Sequence, residues 1–257
     1  MAPLTLATAD GETLHAVHGP GPAGGRLAVV LAHGFTGHVG KPAVRHIAAQ
    51  LSETAGVVAY DARGHGRSSG LSTLGDREVL DVDAAVAATR ALGYDTVVTC
   101  GWSMGGATVL RHAALRGQAV AGHLLRHPPD AVVSVSATSR WFVRDTRPMR
   151  LLHLAVETAA GRWVTRHRLG TRVSPHGWDP LPVSPIDCVA DVAPLPLLLV
   201  HGDADGYFPV THPQALLAAA RQPVELWLEP GFGHAEEAAG PELVGRLARR
   251  MGEMVPC

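Results

Sequence analysis

The sequence has few of the features that mark membrane-spanning, disulfide-stabilised or nucleic-acid-binding proteins. No apolar run approaches the roughly 18 residues that a membrane span needs. Its three cysteines, Cys100, Cys188 and Cys257, lie far apart and form no C-x-x-C pair, so neither a disulfide framework nor a zinc knuckle is predicted. The formal net charge is only −1, which favours neither a nucleic-acid partner nor an anionic membrane surface.

Signals for export and for cofactors are also scarce. The opening stretch "MAPLTLATADGETLH" has no basic segment followed by an apolar one, so we predict no signal peptide and expect a cytoplasmic protein. Gly19, Gly21 and Gly24 match the dinucleotide spacing G-x-G-x-x-G, but two prolines interrupt them and a predicted strand follows instead of a helix. His15 and His18 have a poor spacing for metal ligands. We therefore expect no cofactor and no metal, and the oligomeric state stays open.

Strand-like runs that alternate with helical runs are the main feature that the sequence does contain. Short runs such as "GVVAYD" and "LPLLLVHG" lack apolar–polar alternation, as strands buried on both faces do. Between such runs, "GDREVLDVDAAVAATRALG" has apolar residues at three- and four-residue steps, which favours a helix. The alternation predicts an α/β fold with a doubly wound, mostly parallel sheet. A hairpin turning at Asp10 and Gly11 is predicted to precede it.

One long stretch interrupts this alternation. Residues 138–194 are too many for an ordinary connection between a strand and the next element. They contain a helical segment that opens at Pro148, "PMRLLHLAVETAAGRW", and then the loop "SPHGWDPLPVSP". We interpret 138–194 as a small helical cap, or lid, inserted into a core formed by residues 1–137 and 195–257.

The stretch "TVVTCGWSMGGATVL" places Ser103 at a turn between a predicted strand and a predicted helix. A helix N-terminus favours negative charge beside it, and Gly101 and Gly105 complete the G-x-S-x-G pattern of a nucleophile elbow. The alternative is that the turn merely required small residues, since a chain with 29 glycines contains such patterns by chance. A serine nucleophile also needs a base, an acid that orients the base, and donors for an oxyanion.

Candidates for these partners follow three other predicted strands. His234 in "EPGFGH" is the candidate base, and Asp203 and Asp205 in "LLLVHGDADGYFP" are both candidates for the acid. The backbone N–H of Phe35 in "VVLAHGFTG" can join that of Met104 in an oxyanion hole. All of these residues follow C-terminal strand ends, which is where open α/β sheets bind their ligands.

Five motifs in chain order resemble those of the α/β-hydrolase fold family: "HGFTG", "YDARGHGRSS", "GWSMGG", "HGDADGYFP" and "GFGH". The resemblance runs nearly end to end and implies a serine hydrolase whose triad has the order Ser, Asp, His. It places the acid at the fifth position of H-G-x-x-D, which is Asp205, and leaves Asp203 to cap the turn. It also implies that His33 and His65 hold loops by hydrogen bonds.

From these residues we expect a carboxylesterase that works through an acyl-enzyme intermediate on a small-molecule ester. Ser103, Asp205 and His234 would form the triad, and the N–H groups of Phe35 and Met104 the oxyanion hole. A thioesterase acting on acyl-CoA or acyl-carrier substrates would use the same residues, and so would a C–C hydrolase or a perhydrolase on this scaffold. A non-catalytic ligand-binding relative is the alternative from another class, although no triad member is missing.

The expected substrate contacts come from the elbow and from the predicted cap. They are Trp102, Trp141, Phe142, Arg147 and Arg150, with packing under the turn as the alternative for Trp102. Residues 138–172 contain eight arginines against only two carboxylates. This local positive charge favours an anionic substrate, and the alternative is an ordinary solvated face.

Overall fold

A computed structural model describes residues 1–255, and its central element is one eight-stranded sheet. The strand order is β1-β2-β4-β3-β5-β8-β9-β10, and the short strands β6 and β7 pair separately. The ten strands of the described residues are β1 (Ala2–Ala7), β2 (Thr13–Gly19), β3 (Leu27–Ala32), β4 (Gly56–Tyr60), β5 (Thr96–Trp102), β6 (Ala119–Val120), β7 (His123–Leu124), β8 (Ala131–Val135), β9 (Leu197–Gly202) and β10 (Val224–Glu229).

The sheet is mostly parallel, as the sequence predicts. β1 and β2 form the expected antiparallel hairpin, and Gly11 in its turn has a φ of 90° that a residue with a side chain rarely adopts. β2 is antiparallel to β4, and every later neighbour pair in the sheet is parallel. The C-terminal ends of β3, β4, β5, β8, β9 and β10 therefore meet at one edge of the sheet.

Helices cover both faces of the sheet. The nine α-helices of the described residues are α1 (Pro42–Leu51), α2 (Glu78–Ala91), α3 (Met104–Ala114), α4 (Arg147–Glu157), α5 (Ala159–Arg168), α6 (Pro185–Cys188), α7 (Thr211–Ala219), α8 (Ala235–Ala238) and α9 (Pro241–Met254). α1 packs against α9, and α2 packs against α3. Among residues 1–255, no helix has the length and apolar character needed to cross a membrane.

Consecutive residues of β3 show why its sequence does not alternate between apolar and polar residues. Val29 and Leu31 belong to the buried cluster under α1 and α9, whereas Val30 and Ala32 belong to the cluster under α2 and α3. Because side chains alternate across a strand, both sets must be apolar when helices cover both faces. The doubly wound α/β architecture predicted from the sequence is thus confirmed.

The segment between β8 and β9 differs from the single helix predicted there. Two helices, α4 and α5, are separated by Thr158, whose backbone is extended at φ −100° and ψ 148°. The Thr158 hydroxyl accepts a hydrogen bond from the Gly161 amide at 3.0 Å, so this residue caps a second helix. Further along the segment, α6 packs on the core helix α3. The proposed boundaries of the cap, 138–194, remain a prediction.

Candidate active site

Ser103 stands at the turn between β5 and α3 with a backbone conformation that L-residues rarely adopt. Its φ is 52° and its ψ −114°, a strain of roughly 1–3 kcal/mol that the surrounding structure must offset. A Cβ on Gly101 would overlap the carbonyl oxygen of Gly105, and a Cβ on Gly105 would overlap that of Ala32. The two glycines therefore allow the sharp turn that lifts the serine hydroxyl clear of the sheet.

Hydrogen bonds connect Ser103, His234 and Asp205. The distance from His234 Nε2 to Ser103 Oγ is 2.9 Å, and that from His234 Nδ1 to Asp205 Oδ2 is 2.8 Å. Because a carboxylate only accepts, Nδ1 must carry the ring proton of the neutral imidazole. Nε2 is then left as the acceptor for the serine hydroxyl.

The surroundings of Asp205 keep its carboxylate ionised. Burial by itself would raise its pKa, but the hydrogen bond from His234 and those from two backbone amides outweigh burial and lower the pKa below the ordinary value. The amides are those of Tyr207 and Phe208, at 2.8 and 3.0 Å from Oδ1. A charged carboxylate at this position can orient His234 and stabilise its cation.

His201 holds the turn that carries Asp205, and the sequence analysis did not identify it. Its Nε2 donates to the carbonyl oxygen of Phe208 at 2.8 Å and lies 3.6 Å from Asp205 Oδ2. Burial lowers the pKa of His201, which keeps the ring neutral. The available signal was its place as the first residue of "HGDAD".

Asp203, the other candidate acid, contacts a different group. It is exposed, and its Oδ1 accepts a hydrogen bond from the Gly231 amide at 2.7 Å. This hydrogen bond holds the loop that precedes His234. Tyr207 stacks on the His234 ring with a centroid distance of 4.3 Å. The structure therefore brings Asp205, and not Asp203, to the histidine.

The loop that carries Phe35 is fixed on both sides of Gly34. His33 is buried, its Nδ1 donates to the Gly34 carbonyl at 2.7 Å, and its Nε2 accepts from the Ala62 amide at 3.0 Å. The Gly34 amide donates to Glu236 Oε1 at 2.6 Å. Through its two hydrogen bonds, His33 holds this loop in place, as the resemblance implies. Together with the bond to Glu236, they orient Gly34, the residue before Phe35.

Glu236 is a second residue that sequence reasoning missed, and its only signal was its position two residues after His234. Its Oε2 and Ser103 Cβ each lie 3.1 Å from the point where Gly34 would carry a Cβ, so the carboxylate is close to the serine. Met104 is the first residue of α3, and its amide has no acceptor within the helix. Gly34, the residue before Phe35, and Met104 therefore both lie beside Ser103 on two differently anchored segments, and the amides of Phe35 and Met104 remain the expected oxyanion donors.

Two cavities meet at Ser103. The outer cavity has a volume of about 780 Å³, and the aromatic cavity one of about 110 Å³. His234 lines only the outer cavity, together with Gly34, Lys41, Arg147, Leu151, Glu236 and Glu237. The aromatic cavity alone is lined by Leu74, Met104, Ala107, Thr138, Arg140, Trp141, Phe142, Val143, His153, Val156 and Trp178, and Phe35, Ser103, Met149, Leu152 and Phe208 line both.

The residues expected to contact substrate are divided by this arrangement. Trp141 and Phe142 line the aromatic cavity, and Arg147 lines the outer one. Arg150 lines neither, because its guanidinium donates to the carbonyl oxygens of residues 144 and 145 at 3.3 and 3.2 Å. The expectation for Trp102 is also corrected: it is fully buried in the core below the turn and lines neither cavity.

Comparisons with known proteins agree with this topology. A family model described as alpha/beta hydrolase fold matches residues 28–147. No curated protein matches the chain in sequence. Solved structures match over nearly the whole length, among them the esterase Pf2001 of Pyrococcus furiosus, at 20% identity, a TM-score of 0.73, and coverage of 99% of this chain and 92% of that one.

Two further structures are similar to the same extent. The esterase RhEst1 from Rhodococcus sp. ECU1013 is 19% identical, with a TM-score of 0.72 and coverage of 99% of this chain and 100% of that one. Est1E from Butyrivibrio proteoclasticus, solved with ferulic acid bound, is 22% identical, with a TM-score of 0.67 and coverage of 98% and 99%. The strand order and these likenesses, together with the family model that matches residues 28–147, show that the chain has the α/β-hydrolase fold.

Proposed function

We propose that this protein is a serine hydrolase that cleaves a carboxylic ester through an acyl-enzyme intermediate. The observation that carries the proposal is the hydrogen-bonded series Asp205–His234–Ser103, which ends at a strained turn open to two cavities. Of the three similar structures named above, two are titled esterases, and the third was solved with ferulic acid bound.

In the first half-reaction, Ser103 Oγ attacks the acyl carbon and its proton passes to His234 Nε2. Asp205 stabilises the imidazolium that forms. The oxyanion of the tetrahedral intermediate accepts hydrogen bonds from the N–H groups of Phe35 and Met104. When the C–O bond breaks, His234 gives its proton to the leaving oxygen, and the alcohol departs.

In the second half-reaction, water attacks the acyl carbon of the acyl-enzyme. His234 Nε2 takes a proton from this water, and the oxyanion again accepts hydrogen bonds from the N–H groups of Phe35 and Met104. Collapse of the intermediate releases the carboxylic acid, and the Ser103 hydroxyl recovers its proton from His234. These steps use only side chains and amides of this chain.

The test is steady-state hydrolysis of p-nitrophenyl butanoate by the purified protein and by the Ser103→Ala variant, with butanoyl-CoA as a parallel substrate. We expect the native protein to turn over the ester with a higher kcat/KM than the thioester. The variant should retain about 10⁻⁴ of the native kcat or less. A higher kcat/KM on the thioester would favour a thioesterase, and a folded native protein inert on both would favour a non-catalytic binder.

A further inference from the structure

We propose that the preferred substrates are short-chain acyl esters of large, hydroxyl-rich alcohols. This inference rests on the proposed ester hydrolysis and assigns each half of the substrate to one of the two cavities that meet at Ser103. The aromatic cavity would hold the acyl chain, and the outer cavity the alcohol.

The position of His234 decides which half lies where. The leaving oxygen must come within hydrogen-bond reach of His234 Nε2, because that nitrogen delivers its proton. His234 lines the outer cavity and not the aromatic one, so the alcohol extends into the outer cavity. The acyl chain then extends from Ser103 in the other direction, past Met104 and Ala107, into the aromatic cavity.

The size of the aromatic cavity limits the acyl chain. A water molecule takes up about 30 Å³ of liquid, and a cavity of about 150 Å³ in another protein holds one benzene. A volume of about 110 Å³ therefore accommodates three or four non-hydrogen atoms beyond the carbonyl carbon at Ser103. Acetyl to butanoyl groups fit, whereas an octanoyl chain would extend beyond the cavity and lose contact with its walls.

Hydrogen bonds fix much of that wall. The indole N–H of Trp141 donates to the Pro182 carbonyl at 2.8 Å, and that of Trp178 donates to the Thr73 carbonyl at 2.7 Å. The two indoles pack with their centroids 5.0 Å apart. Rotating either ring outwards breaks a partly buried hydrogen bond, so the cavity does not widen easily for a longer chain.

Phe142 is the part of the wall that is easiest to remove. It is 56% exposed, has a φ of 58°, and separates the aromatic cavity from a neighbouring groove of about 370 Å³ that it also lines. Glycine adopts positive φ without strain. Phe142→Gly should therefore join the two spaces while relaxing the backbone.

The outer cavity suits a large polar alcohol. Its volume is about seven times that of the aromatic cavity, and two cationic and two anionic side chains line it: Lys41, Arg147, Glu236 and Glu237. A hydroxyl both donates and accepts, so it can pair with either charge. A leaving group that carries a charge would instead meet a like charge in this cavity.

The acyl half of the inference is tested with p-nitrophenyl acetate, butanoate, octanoate and hemisuccinate on the native protein and two variants. We expect the native kcat/KM to fall about tenfold or more from butanoate to octanoate. Hemisuccinate, whose length is close to that of butanoate, shows whether Arg140 in the cavity wall favours a charged acyl group. Phe142→Gly should reduce the butanoate-to-octanoate ratio at least threefold. The matched control, Leu151→Ala, removes an equally exposed side chain of the outer cavity and should leave that ratio unchanged.

The alcohol half is tested with glucose 6-acetate, which keeps its other hydroxyls free, and with ethyl acetate, and we expect the sugar ester to have the higher kcat/KM. Octanoate reacting as fast as butanoate, an unchanged ratio in Phe142→Gly, or a preference for ethyl acetate would overturn the inference. Loss of p-nitrophenyl acetate hydrolysis altogether would instead overturn the proposed function, and so the two failures are distinguishable.

Discussion

The edge of the sheet and the segment that follows β8 are held in place by different kinds of contact. Ser103, Asp205 and His234 follow β5, β9 and β10, and the residues of β9 are all buried within the ladder of the sheet. In the segment, α4 and α5 pack chiefly against each other. Eight of the fourteen large apolar side chains that are exposed among residues 1–255 lie between residues 142 and 183.

Under the proposed function, this difference separates the residues that take part in the reaction from the residues that determine substrate choice. The sheet fixes the reacting groups, so changes there should lower kcat for every substrate. The segment shapes the cavities through fewer contacts, so changes there should alter the choice of substrate or the stability of its attachment. The predictions below test this separation.

The largest effect is expected from Ser103 and His234, the two residues that are proposed to exchange the proton. Ser103→Ala and His234→Ala should each lower kcat about 10⁴-fold or more, and the double variant should be little worse than either, because the groups act as one unit. Steady-state kinetics with p-nitrophenyl butanoate measures this. Additive losses in the double variant would contradict a shared mechanism.

The two aspartates should differ sharply. Asp205→Asn should lower kcat roughly 10³- to 10⁴-fold, because an amide can neither fix the tautomer of His234 nor stabilise its cation. Asp203→Asn is the matched control: it keeps an acceptor for the Gly231 amide and should cost less than about fivefold. If Asp203→Asn proved the damaging change, the assignment of the acid would be wrong.

Glu236 allows a test of whether the position of the loop that carries Gly34 and Phe35 affects kcat. Glu236→Ala removes the acceptor of the Gly34 amide and should lower kcat about tenfold with little change in KM, a fraction of the cost of losing an oxyanion donor outright. Glu236→Gln keeps an acceptor oxygen and should retain kcat within about threefold. Equal losses in the two variants would show that charge, and not position, is what matters.

The smallest expected effect concerns the attachment of the segment. His212 Nδ1 accepts hydrogen bonds from the amide and the hydroxyl of Ser139, at 3.1 and 2.9 Å. Burial, and then the nearby positive charge of Arg140, lower the pKa of His212 to about 4. Between pH 6.5 and 4 the unfolded chain therefore binds a proton that the native protein does not, and stability falls as pH falls.

For His212 this loss amounts to about 2 kcal/mol between pH 7 and pH 5. His212→Asn keeps an acceptor for Ser139 but does not titrate, so urea unfolding at the two pH values should show a loss smaller by that amount. Equal pH dependence in the two proteins would contradict the role given to His212. The other titrating groups are common to both proteins and cancel in the comparison.

The parts of the site that local chemistry dictates could be predicted from the sequence. Gly101 and Gly105 are required by close backbone approach, so the elbow is visible in five residues. The mostly parallel sheet follows from short apolar runs without alternation, which only strands covered on both faces need. Since such strands end at one edge, the meeting of Ser103 with the other loops was expected.

Contacts between distant residues, and the path of the segment, could not be predicted. The hydrogen bond from the Gly34 amide to the Glu236 carboxylate joins residues 202 positions apart, and nothing in the sequence around either residue indicates that they meet. Thr158 divides the predicted helix because its side chain caps the second half, which helical periodicity does not indicate. Trp102 points into the core because it lies two residues after Cys100 on β5 and so shares the face of the sheet on which Cys100 is buried, a register that the elbow motif alone leaves open.

The most direct measurement of the central claim is covalent labelling of the native protein by a fluorophosphonate, followed by peptide mass spectrometry. The account predicts one adduct, on Ser103, formed quickly in the native protein, much more slowly in His234→Ala, and not at all in Ser103→Ala. Because phosphonylation traps the attacking oxygen next to the base and the oxyanion donors, it reports on the whole site at once. A folded native protein that stays unlabelled, or an adduct on any residue other than Ser103, would contradict the account.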